Sequence, residues 1–420
     1  MLGSIVLVGC VLTAQPAADD DLQLVLNGLV AQLNAPQLSQ REEAEVELLK
    51  LGAKILPRLP EVNDRMPPEM RQRLGRIRQK LQRTAAEAAA SQSRVSLSAT
   101  AMPLSEILDA LQKQTGNKIE LEARPAGDGP PKLSVDFDKT PFWQALDRVL
   151  DQSGLSVAEY GEAGAITLVP RSQGQVSRTA AASYGGPFRF EPVFIEARRD
   201  LRNPESRSLR LTLEVTWEPR LSPIGLQQKA AELKAVDENG KPLHFDDDAA
   251  ELEVPVEGVA SVRLPLALSL PSRDVKRIAS LEGTLTAMLP GKVETFTFDK
   301  LADAKKVEKR VAGVTVTLVQ ARKNNAVWQV IVRIRFDEAG NALQSHRGWI
   351  LNNEAYLEGP DGKRIDHAGY ETAGQSENTV GIAYMFVLDG TLEGHKFIYK
   401  TPGLIVASGY DYEIKDVELP

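Results

Sequence analysis

One cysteine, Cys10, occurs in 420 residues. If an N-terminal leader carrying it is removed, disulfides, thiolate nucleophiles and cysteine zinc sites are excluded. Stability then rests on burial, and this length allows about three or four domains. Aromatic residues make up only 5% of the chain, so stacking platforms for bases or sugars are sparse. The four histidines (His244, His346, His367, His395) are never within five residues of one another, which excludes HxxxH and HExxH metal motifs. Walker A loops, nucleophile elbows and dinucleotide glycine fingerprints are missing too. Positive charge is not in excess: the net charge of −7 argues against general affinity for nucleic acid. No apolar run approaches the ~18 residues a spanning helix needs.

What is present begins with a leader. LGSIVLVGCVLTAQPAADD has an apolar core from Ile5 to Leu12, then small residues, then aspartates. Residues 1–18 read as a secretory signal, cleaved near Ala14 or Ala17, although a basic n-region is lacking. Leu7-Val8-Gly9-Cys10 is similar to a bacterial lipobox, which makes Cys10 the candidate lipidation residue and a single membrane anchor. The plainer reading keeps Cys10 as a member of the cleaved apolar core. Either way the chain is expected to be exported, periplasmic or associated with the cell envelope.

Residues 22–90 read as helical. Leu22, Val25, Leu26, Leu29, Val30 and Leu33 recur at spacings of three and four. Ser39 with Glu42 offers a capping box for a second helix, and a third is predicted over 69–83. REEAEVELLKLGAKILPRLPEV resembles one HEAT-type helical repeat, which alone cannot bury its own faces; the segment is expected to be a small helical cap. Its third helix carries Arg71, Arg73, Arg76, Arg78, Lys80 and Arg83 with no acid after Glu69. That is either a patch for phosphates or, more commonly, a solvated face matched by Glu42, Glu43, Glu45 and Glu47.

The strongest organisational signal is a duplication. PLSEILDALQKQTG (103–116) and PFWQALDRVLDQSG (141–154) repeat Pro103 as Pro141, Asp109 as Asp147 and Gly116 as Gly154, an offset of 141 − 103 = 38. An alternating run precedes each copy and a short strand pattern follows, giving β-α-β-β-α-β-β over 95–170. VSLSATAMPLSEILDALQKQTGNKIEL and LSVDFDKTPFWQALDRVLDQSGLSVAEY resemble the short N-terminal domain shared by secretins and TonB-dependent receptors (STN-like). The resemblance implies protein–protein docking at the envelope. No secretin ring or outer-membrane barrel pattern follows it, so only the docking role carries over. Phe142 and Trp143 open the second copy's helix as core residues or as a contact patch.

Residues 171–186 are polar, small and glycine-rich, and read as a flexible linker. From Pro187 onward the pattern has period two, as in Leu209-Leu211-Leu213-Val215-Trp217 and Trp328-Val330-Val332-Ile334-Phe336. Similar turns at Asn239-Gly240 and Asp361-Gly362 suggest two immunoglobulin-like antiparallel sandwiches, at 187–302 and 303–420, or one large one. The expected fold class is therefore multidomain α+β: helical cap, βαββαβ-type docking domain, two β-sandwiches.

Candidate chemistry is thin, and the chain reads as a non-enzyme with no cofactor. Asp246, Asp247 and Asp248, with Asp237 and Glu238 upstream, could offer oxygens to a hard cation, but follow no known calcium spacing; an acidic hairpin in water is the plainer reading. Asp366-His367 are sequence neighbours, and on a strand would point to opposite faces. Trp217, Trp328 and Trp349 read as sandwich core or edge. The expected function is protein binding or scaffolding with another envelope protein as partner, strand addition being the physical mode. The alternatives are a carbohydrate-binding or hydrolytic protein using the sandwich loops, and a module that reports ligand state to a membrane partner.

Overall fold

A computed structural model describes residues 16–420, except 64, 123–130, 160, 162, 204, 246, 248, 257, 326, 338–347, 377 and 389. Cys10 and the lipobox-like residues 7–10 lie outside the described residues. The fold is α+β and multidomain, in two compact units, Met1–Ala85 and Ala86–Pro420. Among the described residues no helix is long and apolar enough to cross a membrane.

The first unit holds helices Pro16–Gln32 and Leu38–Lys50, a 3-10 turn Ala53–Arg58, and the helix that starts at Pro68 and runs on to Ala89. Leu26, Leu33, Leu48, Ile55, Leu74, Ile77 and Leu81 form its core. The expected capping box does not form. The second helix starts at Leu38, so Ser39 is already inside it and Gln37 sits at the cap without a side-chain bond. Arg41 holds the entry instead, donating to the carbonyls of Ala35 (2.7 Å) and Pro36 (3.1 Å). The basic third helix is largely internal in its commitments: Arg73 binds Glu69 (2.6 Å) and Glu45 (2.9 Å), Arg76 binds Glu45 (3.1 Å), and Arg78 donates to the Leu59 carbonyl (3.0 Å).

In the second unit the duplication is geometric as well as sequential. Strand Arg94–Pro103, helix Leu104–Thr115 and strand Ile119–Leu121 are followed by strand Lys132–Pro141, helix Phe142–Ser153 and strands Leu155–Val157 and Ile166–Pro170. The two long strands pair antiparallel, and the three short ones form a second sheet in which Ile119–Leu121 runs parallel to Ile166–Leu168. Both helices end on a glycine in the left-handed region, Gly116 (φ 73°) and Gly154 (φ 72°), which costs a glycine little. Leu104, Ile107, Leu108 and Leu111 share one core with Phe142, Leu146, Val149 and Leu150.

The remainder is antiparallel β in two bodies, each with two sheets around one core. In the first, a sheet ordered Ser261–Leu268, Arg207–Trp217, Phe188–Arg199, Ser183–Gly185 faces a six-stranded sheet built on Arg277–Pro290. In the second, four strands built on Lys396–Pro402 face five built on Val327–Phe336. The expected division at 302/303 is not where the chain crosses. Val293–Phe298 already belongs to the second body, paired with Lys396–Pro402, and the Ile405–Glu418 strand returns to the first, paired along all of Arg277–Pro290. A two-stranded ribbon thus passes between bodies at Gly291-Lys292 and Gly403-Leu404, where Gly291 N–H donates to Leu404 O (2.6 Å) and Gly403 N–H to Lys292 O (3.0 Å). Period-two alternation marks a strand but not the sheet that receives it.

Candidate binding surface

The polar contacts that fasten the duplicated half to the first β body define which of its faces stay open. The Phe142–Ser153 helix buries Asp147, only 1% exposed, against that body. Its Oδ2 accepts from Tyr184 Oη (2.6 Å) and Arg189 Nε (3.1 Å), with Arg178 Nε at 3.6 Å. Arg189 continues to Glu191 (2.7 Å) and lies 5.9 Å from the Trp143 ring centre, while Trp143 Nε1 donates to Pro187 O (3.0 Å). Burial and the neighbouring Asp147 charge push the Tyr184 hydroxyl above its ordinary range. Burial alone would raise Asp151, but hydrogen bonds from Arg178 and Ser177 hold it below the usual carboxylate range.

A second clamp comes from the first copy. Glu218 is fully buried and accepts from Ser93 N (2.8 Å), Asn117 Nδ2 (3.1 Å) and Arg220 Nε (2.7 Å). Arg220 also donates to the carbonyls of Ala89 and Ser91. Removing one partner from such a buried charged group typically costs about 3–5 kcal/mol, because the other is left uncompensated. Residues 171–186, expected to be a flexible linker, are therefore tied down: Arg178 binds Asp151 (2.5 Å), Thr179 N–H donates to Glu191 (2.7 Å), and Ser183–Gly185 is a strand paired with Phe188–Phe190.

The duplicated halves have diverged along this seam. Asp147 is buried in a charged cluster, but its counterpart Asp109 is exposed on the Leu104–Thr115 helix beside exposed Ser105 and Glu106. Trp143 is core and its counterpart Ser105 is exposed. One helix thus meets the β body while the equivalent face of the other is open. Gln114 clasps the backbone of Ser96 with two bonds (3.0 and 3.1 Å), whereas its counterpart Gln152 bonds within its own helix to Arg148 O (3.1 Å). Among the described residues the strand Ile119–Leu121 pairs on one side only, and Leu121 is exposed at its edge.

The sequence-derived candidates do not converge. Asp246 and Asp248 lie outside the described residues; Asp247 is exposed and accepts from Ala249 N (2.9 Å). Asp237 is spent on the turn, accepting from Asn239 N (2.8 Å) and Lys241 N (2.9 Å), and Glu238 accepts from Lys276 N and Arg277 N. No metal-binding group of three or more His, Cys, Asp or Glu occurs among the described residues. Asp366 pairs with Arg364 (2.7 Å) while His367 packs on Tyr384, ring centres 5.1 Å apart, so the two do not act together. Trp217 is buried in the first β core, Trp349 meets Phe336 edge-on, and Trp328 donates to Gly390 O (3.2 Å). Sequence reasoning missed the Asp147–Arg189 and Glu218–Asn117 clusters. The available signal was an arginine between two phenylalanines in Phe188-Arg189-Phe190.

No protein-family model, curated protein or solved structure matches this chain.

Proposed function

We propose that the chain is an exported, non-enzymatic envelope protein that binds another envelope protein through its duplicated, STN-like half. The HEAT-like helices are an accessory segment, and the two β bodies, read as immunoglobulin-like sandwiches, support the duplicated half. The observation that carries this reading is the asymmetry at the seam. One helix of the twin unit is fastened to the β body by buried Asp147, and the matching face around Asp109 remains exposed. Buried charged contacts hold that face in a fixed orientation, and pre-organisation lowers the cost of binding. The edge at Leu121 adds a place where a partner strand can extend the sheet.

The test is affinity capture of the tagged full chain from envelope extracts, alongside a Glu106→Arg/Asp109→Arg variant. Both substitutions are on the surface and leave the clamps intact. Proteins recovered by the wild type and lost with the variant are the expected partners. Identical recoveries would sink the docking reading.

A further inference from the structure

The hairpin joining Phe188–Arg199 to Arg207–Trp217 runs past the body that supports it. Every described residue from Glu196 to Arg207 is exposed, and the last ladder rung is Arg199 opposite Arg207. Four strand residues beyond the core correspond to a finger about 13 Å long. Arg198, Arg199, Arg202, Arg207 and Arg210 have no acidic partner among the described residues. This contrasts with the paired arginines at 73, 76, 178, 189, 220, 310 and 364. Three acids are nearby. Glu205 is exposed, Glu196 faces Arg210 in register without an ion pair, and the Asp200 carboxylate is occupied by the backbone N–H groups of Arg202 (2.7 Å) and Asn203 (3.1 Å).

Two features of this finger work against folding alone. Like charges directly opposite on a ladder are destabilising, yet Arg199 and Arg207 occupy that relation. Leu201 at the tip is 93% exposed, more than any other large apolar residue described. An anion placed between the arginines would relieve the first, and an apolar phase beyond them would relieve the second. Nucleic acid supplies the anion but not the apolar phase, and a free phosphate supplies only the anion. A bilayer with anionic headgroups supplies both in the right order, charge first and hydrocarbon beneath.

We infer that the 196–207 finger binds anionic membrane surfaces, its arginines on lipid phosphates and Leu201 inserted below them. This is independent of the docking reading, because it uses neither the twin unit nor its partner. The full chain is tested by co-sedimentation with vesicles of phosphatidylcholine alone and of phosphatidylcholine and phosphatidylglycerol in equal parts. Comparing variants in the same chain cancels any contribution of the apolar N-terminus.

Preferential binding to the anionic vesicles is expected. Arg198→Gln/Arg199→Gln/Arg207→Gln should weaken it on the order of a hundredfold, and Leu201→Ser by roughly threefold to tenfold. Both variants should melt no lower than the wild type. Equal partition onto both vesicle types, or binding indifferent to the finger variants, would overturn the inference. Loss with the arginine variant but none with Leu201→Ser would leave only headgroup contact and overturn the inference that Leu201 inserts below the arginines.

Discussion

Ser96 and Ser134 make the same bond from opposite strands. Ser96 Oγ accepts from Lys139 N (2.9 Å) and Ser134 Oγ accepts from Ala101 N (3.2 Å). Lys139 and Ala101 both have positive φ, 46° and 53°, at equivalent bulges. The relation repeats one step further on, where Leu104 N–H donates to Pro131 O (2.9 Å) and Phe142 N–H to Ser93 O (3.0 Å). Each half thus completes the other's bulge and helix entry. Ser96→Ala and Ser134→Ala are each expected to lose about 0.5–1.5 kcal/mol, by similar amounts, in urea denaturation. A loss confined to one serine would contradict the twofold relation.

Asp147 and Arg189 form a buried ion pair, 3.1 Å apart. Arg189→Ala leaves buried Asp147 with Tyr184 and the more distant Arg178, and Asp147→Ala leaves Arg189 with Glu191 alone; each should destabilise the second unit by up to about 3–5 kcal/mol. Asp147→Leu combined with Arg189→Met removes both charges and should recover much of that loss, as shown by coupling in a double-mutant cycle. Additive losses would mean that the two residues act separately.

Gly403 has no room for a side chain. A Cβ there would lie 2.6 Å from Ala312 Cβ and 2.9 Å from Glu294 Cγ. Gly403→Ala is expected to cost about 1–3 kcal/mol through overpacking, measured as a fall in melting temperature. Gly240→Ala meets nothing within 4 Å and suffers only from its φ of 75°. The two losses should separate on adding Ala312→Gly, which should rescue Gly403→Ala alone.

Glu214 sets a pH dependence. Burial, and then Glu191 directly opposite in register, raise its pKa above the usual value of 4.5, against the lowering effect of the bond from Ser261 Oγ (3.0 Å). The folded state therefore holds this proton more tightly than the unfolded state. The charged form weakens the fold at neutral pH, and that penalty fades as pH falls through the raised value towards the ordinary one. Glu214→Gln should be more stable than the wild type at pH 7, with the gap closing on acidification. A gap that widened towards acid would reverse the sign and refute the assignment.

Gln37 caps the Leu38–Lys50 helix without using its side chain, although its φ of −85° and ψ of 133° suit a capping residue. Gln37→Asp should stabilise the first unit by about 1 kcal/mol, seen as a higher midpoint in helical circular dichroism. An unchanged midpoint would show that this helix start gains nothing from a side-chain acceptor at position 37.

Local order was largely legible in the sequence. Gly116 and Gly154 mark the helix ends because only glycine takes a left-handed cap at little cost. Alternation at 209–217 and 328–336 matches observed strands. Destination was not legible. Nothing in YDYEIKDV says that it will leave the second β body for the first. The twin aspartates at 109 and 147 carry no local sign that one meets solvent and the other an arginine. Those outcomes depend on partners remote in sequence, and the open face and the seam are defined by such partners. Ser39 misled because a capping pattern competes with how the chain enters the helix, and Arg41 settles that entry.

The ribbon crossing at Gly291 and Gly403 also has a temporal meaning. The Arg277–Pro290 strand leaves the ribosome long before Ile405–Glu418, its ladder partner. Until that late segment arrives, a long strand has one edge unsatisfied, the condition in which growing chains mispair or call on chaperones. The ladder of the earlier β body therefore cannot be complete until the Ile405–Glu418 segment is available.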